Sequence, residues 1–93
     1  MTTHHVHILV KGRVQGVGYR NWTYSQAKLL KLTGWVRNLP SGEVEIAAEG
    51  TEGALQSLLT FLKAGPPLAK VSSVDATWSS IPKPQYSDFQ VKQ

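Results

Sequence analysis

Residues 12–20, GRVQGVGYR, set three glycines and two arginines between a strand-like run and a helix-like run. A loop that enters a helix presents backbone N–H groups with no intrahelical acceptor. Those donors, together with the helix dipole, suit a phosphate or a carboxylate. Gly16 and Gly18 permit positive φ and a close approach of the backbone. Arg20 stands where the helix is expected to begin and can give two parallel hydrogen bonds to an oxyanion. These residue types describe an anion cradle. An ordinary strand-to-helix turn that uses glycine for geometry fits the loop equally well at this point.

Known phosphate motifs narrow the possibilities. A nucleotide P-loop requires G-x-x-x-x-G-K-[ST], and the chain has no Gly-Lys-Ser/Thr. A dinucleotide fingerprint requires G-x-G-x-x-G; Gly16 and Gly18 supply two positions, but Asn21 stands at the third. The chain has no cysteine, which excludes disulfides, thiolate metal sites and phosphocysteine chemistry. Ten lysines and arginines against six acidic residues give a formal charge of +4, which favours anionic partners. Lys11, Arg13, Lys28, Lys31 and Arg37 are candidates for steering such partners, or form a solvated face.

The elements that must position the loop follow from periodicity. In HHVHILV, Val6, Ile8 and Val10 alternate with His5, His7 and Leu9, the period of a strand. Residues 19–32 contain neither glycine nor proline. Tyr19, Thr23, Ala27 and Leu30 fall on one helical face there. TGWVRN (33–38) and EVEIAAE (43–49) read as strands of a hairpin around the turn LPSG. Thr51 is suited to cap a second helix striped by Leu55, Leu58, Leu59 and Leu62, which Gly65 and Pro66 stop. KVSSVDATW (70–78) reads as a strand with Val74, Ala76 and Trp78 on one face. Val71 is out of phase with them, which points to a bulge or an early start of the strand. SSIPKPQYS reads as a loop, and DFQV as a short last strand with Phe89 and Val91 facing in.

The order β-α-β-β-α-β-β has the split βαβ form. It predicts an α+β, ferredoxin-like two-layer sandwich, an antiparallel sheet with both helices on one face. The first and third strands are expected at the centre with the second beside the third. That arrangement brings the glycine loop toward the end of the second strand. At 93 residues, one domain spanning 1–93 is expected. Apolar residues at 41% and charged residues at 17% argue against disorder. No apolar run approaches the ~20 residues needed to span a bilayer, and MTTHHVHILV lacks the pattern of a signal peptide. A cytoplasmic location is the default expectation.

GRVQGVGYR followed by GWVRN closely resembles the acylphosphatase family; Arg20 and Asn38 stand eighteen residues apart. EVEIAAEG, FLKAGPPLAKVSSV and the final FQV continue the resemblance over nearly the whole chain. It implies hydrolysis of acyl phosphates to a carboxylate and inorganic phosphate, with no metal or organic cofactor. It implies that the backbone N–H groups of Gln15, Gly16, Val17, Gly18 and Tyr19, with Arg20, hold the phosphoryl group, and that Asn38 positions the attacking water. The implied partners are a small-molecule acyl phosphate and product phosphate, with neither nucleic acid nor membrane, for a monomer. Chemistry supports the assignment. Phosphoryl transfer asks mainly for positioning and charge stabilisation. A carboxylate, whose acid has a pKa near ~4, leaves without a general acid. The alternative is a non-catalytic anion- or nucleic-acid-binding module on the same fold. The RNA-binding signature of that fold is absent, and the aromatics read better as packing.

Many relatives have glycine at the position of Lys31, where the first helix ends, so Lys31 is expected in a left-handed cap at a cost of up to ~1 kcal/mol. His4, His5 and His7 lack a usual metal-ligand set and read as solvent-facing histidines. Trp35 is expected to pack in the sheet or beside the site, with Trp22 and Trp78 partly exposed.

Overall fold

The computed structural model describes residues 3–92. Strand β1 (Thr3–Arg13) buries Val6, Ile8 and Val10, the face its period-two pattern selects. It runs through the glycine loop into α1 (Tyr19–Leu29), whose buried residues are Tyr19, Thr23 and Ala27. β2 (Thr33–Asn38) and β3 (Val44–Gly50) form the hairpin, and α2 (Glu52–Ala64) follows. The Thr51 side chain accepts a hydrogen bond from the Ala54 N–H and caps α2. The α2 stripe of Leu55, Leu58, Leu59 and Leu62 is buried as the spacing predicts.

α1 ends three residues earlier than its apolar run. The Leu32 N–H bonds to Ala27 O at 2.9 Å and the Lys31 N–H to Lys28 O at 3.1 Å, a Schellman closure. Lys31 sits at φ 59°, in the left-handed region expected for it, while Leu32 turns back into the core.

The sheet order is β4-β1-β3-β2-β5, with β4 spanning Lys70–Ile81 and β5 Phe89–Val91. β1 and β3 are central as expected. Both helices serve this sheet: α1 packs on β2 and β5, and α2 on β1, β3 and β4. The β1–β4 register shifts between Lys11 and Gly12, which pair with Ser73 and Val71, so the phase break at Val71 is a bulge. β4 also extends through Ser79, Ser80 and Ile81, which read as loop from sequence but pair with His5, His4 and Thr3.

The expectation of an antiparallel sheet holds for four strands and fails for the fifth, because β5 runs parallel to β2. The reason is the end of the sheet at which the chain arrives. Ile81 pairs with Thr3, Gly50 with His4 and Thr33 with Glu49, so β4 finishes where β2 begins. Residues 82–88 cross at that end, and β5 starts with Phe89 opposite Gly34. From there it can only run alongside β2 in the same direction.

Candidate active site

The glycine loop lies where β1 gives way to α1. Gly16 and Gly18 have φ 73° and 78°, conformations that L side chains rarely adopt. Gly18 is the N-cap of α1 and brings no side-chain cap, and the first turn holds no acidic residue. The first helical bond to the loop runs from the Trp22 N–H to Gly18 O, so Tyr19, Arg20 and Asn21 carry the donors that a helix start leaves open. Tyr19 anchors this turn from below. Its buried hydroxyl donates to Leu62 O at 2.7 Å, and burial pushes its phenol well above the usual range, so it stays protonated.

A cavity of about 310 Å³ opens over this turn. Gln15, Gly16, Gly18, Tyr19 and Arg20 line it from the loop, Asn38 from the end of β2, and Val14, Asn21 and Val91 complete it. Central β3 separates β1 from β2 by one strand, so the loop and the strand end meet at the same edge of the sheet. Val17 does not line the cavity; its side chain packs against the core. Asn38 shares the core-facing side of β2 with Val36, while Trp35 and Arg37 point to the other face. The Asn38 Oδ1 is buried and has no hydrogen-bond partner among the described residues. Arg20 is half-buried, and its Nη1 donates to Lys92 O at 3.0 Å, tying the guanidinium to the residue after β5.

One side-chain contribution was not legible from the sequence. The Gln15 Nε2 donates to Leu39 O at 2.8 Å and to Glu43 O at 2.9 Å. Sequence reasoning assigned Gln15 only a backbone N–H. No local spacing signals bonds to carbonyls 24 and 28 residues away.

The histidine expectation needs correction. His5 and His7 are half-buried on the open sheet face and paired with β3 carboxylates rather than facing solvent alone. The His5 Nδ1 lies 3.2 Å from Glu49 Oε2, and the His7 Nε2 lies 2.7 Å from Glu45 Oε2. The register Leu9↔Glu45 and His5↔Glu49 explains why: alternation on β3 puts both glutamates under the histidine face of β1. Glu49 is fully buried and also accepts the Gln85 N–H at 2.7 Å. The Arg37 Nε donates to Glu45 Oε1 at 2.6 Å. Burial opposes the charge on Glu45, but the bonds from His7 and Arg37 outweigh it and hold the carboxyl below its usual range. Among the described residues, no three His, Cys, Asp or Glu side chains gather into a metal-ligand set.

Of the five candidate steering cations, Lys11 pairs with Asp75 at 3.5 Å and Arg37 with Glu45. Trp35 packs on the open face: its Nε1 donates to the Tyr86 hydroxyl at 3.2 Å, and Arg37 and Lys92 lie about 5 Å from its ring centre.

The acylphosphatase family profile matches residues 6–91. An acylphosphatase of Methylococcus capsulatus is 46% identical over 86 residues, covering 92% of each chain. One from Dehalococcoides mccartyi is 44% identical over 90 residues, covering 96% of this chain and 98% of the relative. The crystal structure of acylphosphatase from Bacillus subtilis superposes with a TM-score of 0.92 at 41% identity, covering 97% of this chain and 99% of that one. Similarity of this extent, carried by a chain whose glycine loop, arginine and asparagine share one cavity, shows that it is a hydrolase and belongs to the acylphosphatase family.

Proposed function

We propose that the chain hydrolyses acyl phosphates with the glycine loop and Arg20 as the phosphate half of the site and Asn38 as the water half. The N–H groups of Gln15 to Tyr19 and the Arg20 guanidinium hold the phosphoryl oxygens and offset the charge that spreads over them in the transition state. The Asn38 Oδ1 accepts a hydrogen bond from water and aims its oxygen in line with the bond to be broken. That oxygen bonds to phosphorus as the bond from phosphorus to the acyl oxygen breaks. The carboxylate leaves with the electron pair, and the water proton passes to a phosphoryl oxygen. An amide cannot take that proton at neutral pH, and a carboxylate leaving group requires none. The observation that supports this reading is the buried Asn38 Oδ1, without a hydrogen-bond partner among the described residues, in the cavity that Arg20 also lines.

In this reading the reaction needs no metal, and the enzyme works in the cytoplasm as a monomer of one domain, 1–93, without nucleic-acid or membrane partners. Turnover of benzoyl phosphate in the presence of EDTA tests it, with inorganic phosphate inhibiting competitively. Absence of turnover by the wild type overturns the function, and loss of turnover on adding EDTA overturns the metal-free mechanism.

A further inference from the structure

We propose that the Gln15 side chain is a positioning residue that sets the Asn38 amide from the phosphate loop, so that the two halves of the site are held in one geometry. This inference rests on the reading of Asn38 given above. The β2–β3 turn closes through two carbonyls: Glu43 O accepts the Leu39 N–H at 2.8 Å, and Leu39 O accepts the Gly42 N–H at 3.1 Å. The two protons of the Gln15 Nε2 go to those same two carbonyls. Leu39 follows Asn38 directly, and Glu43 precedes Val44, the residue that pairs with Asn38 across the hairpin. The amide therefore grips both sides of the pair that carries the water-directing group. An Nε2 with two protons matches two acceptors. Neither a carboxylate nor a thioether does.

The Gln15 backbone N–H survives any side-chain replacement, so the phosphate cradle and the clamp are separable. Gln15→Met removes both donors at similar length. It is expected to lower kcat on benzoyl phosphate about 10-fold, as misplacement of a positioning group does. The inhibition constant of inorganic phosphate should stay within about 2-fold, because the loop donors and Arg20 remain. In an Asn38→Ala background the same change should cost no further kcat, since the group being positioned is gone. Gln15→Glu turns a carboxylate toward two carbonyls. Its kcat relative to wild type should be lowest near neutral pH and recover as the pH falls and the protonated carboxyl donates one bond.

All assays are run where circular dichroism shows the variants folded, and the Gln15→Glu series, read as a ratio within one protein, stands if Gln15→Met is unstable. Wild-type kcat in Gln15→Met overturns the proposal. So does an equal loss in the Asn38→Ala background, a phosphate inhibition constant that rises in step with the fall in kcat, or a pH-independent ratio for Gln15→Glu. Failure of the wild type to turn over overturns the proposed function itself. An active wild type, an impaired Asn38→Ala and a fully active Gln15→Met overturn this inference alone.

Discussion

The two polar regions of the sheet treat their hydrogen-bonding groups in opposite ways. On the open face, each glutamate of β3 is satisfied: Glu49 by His5 and the Gln85 N–H, Glu45 by His7 and Arg37. At the sheet end beside α1, the Asn38 Oδ1 is buried without a partner among the described residues, and α1 starts without a side-chain cap. A buried unpaired acceptor and uncapped helix donors each cost free energy. The fold satisfies these carboxylates with histidines 44 and 38 residues away along the chain, yet leaves the Asn38 Oδ1 without a partner among the described residues. The Thr23 Oγ1 in α1 is likewise buried without a partner among the described residues, so what sets Asn38 apart is its place in the cavity that Arg20 also lines.

The largest expected effect breaks the open end. Arg20→Gln should lower kcat/KM about 10³-fold and also weaken inhibition by phosphate, because one charge serves both binding and the transition state. Steady-state kinetics with phosphate as inhibitor check both quantities; an unchanged inhibition constant would move the phosphate away from Arg20. Next, Asn38→Ala should lower kcat about 10²-fold while phosphate affinity stays nearly intact, and full activity would remove it from the water half. On the satisfied face the signature is stability rather than rate. The folded-state pKa of Glu45 lies below its unfolded value near ~4.3, so the unfolded chain binds more protons and stability falls as pH drops through that range. Glu45→Gln should flatten this acid dependence of the urea midpoint with kcat unchanged; an identical slope would show that the pairing contributes nothing. The smallest effect lies outside both regions. Lys31→Gly relieves a left-handed cap and should raise stability by up to ~1 kcal/mol with activity intact, and thermal unfolding that shows a loss would contradict the cap argument.

The same contrast marks what was legible in the sequence. Val6, Ile8 and Val10, the leucine stripe of α2, the Thr51 cap and the bulge at Val71 are local patterns, and local patterns carry their own structural reason. The glycine loop that opens α1 was legible for that reason too, since the glycines, the helix start and Arg20 lie within nine residues. Asn38 is different. Nothing in GWVRN marks its asparagine as facing the loop; the resemblance to a family singled it out, and the strand order brings it to the shared cavity. The parallel direction of β5, the histidine–glutamate pairs and the Gln15 clamp were illegible because each depends on which distant strands become neighbours. The route of residues 82–88, fixed in part by the Gln85 N–H on Glu49, is a tertiary outcome with no sequence period of its own.

The bond from Arg20 to Lys92 has a consequence for the order in which the enzyme comes to life. Its partners are separated by 72 positions, so the anchoring of the guanidinium waits for the segment that follows β5 to dock. A contact of such long range closes an entropically expensive loop. The guanidinium acquires its fixed aim only when the segment around Phe89–Val91 docks beside β2. In a refolding experiment, catalytic activity should therefore return more slowly than helical ellipticity; simultaneous recovery would show that the docking of β5 is not the final step.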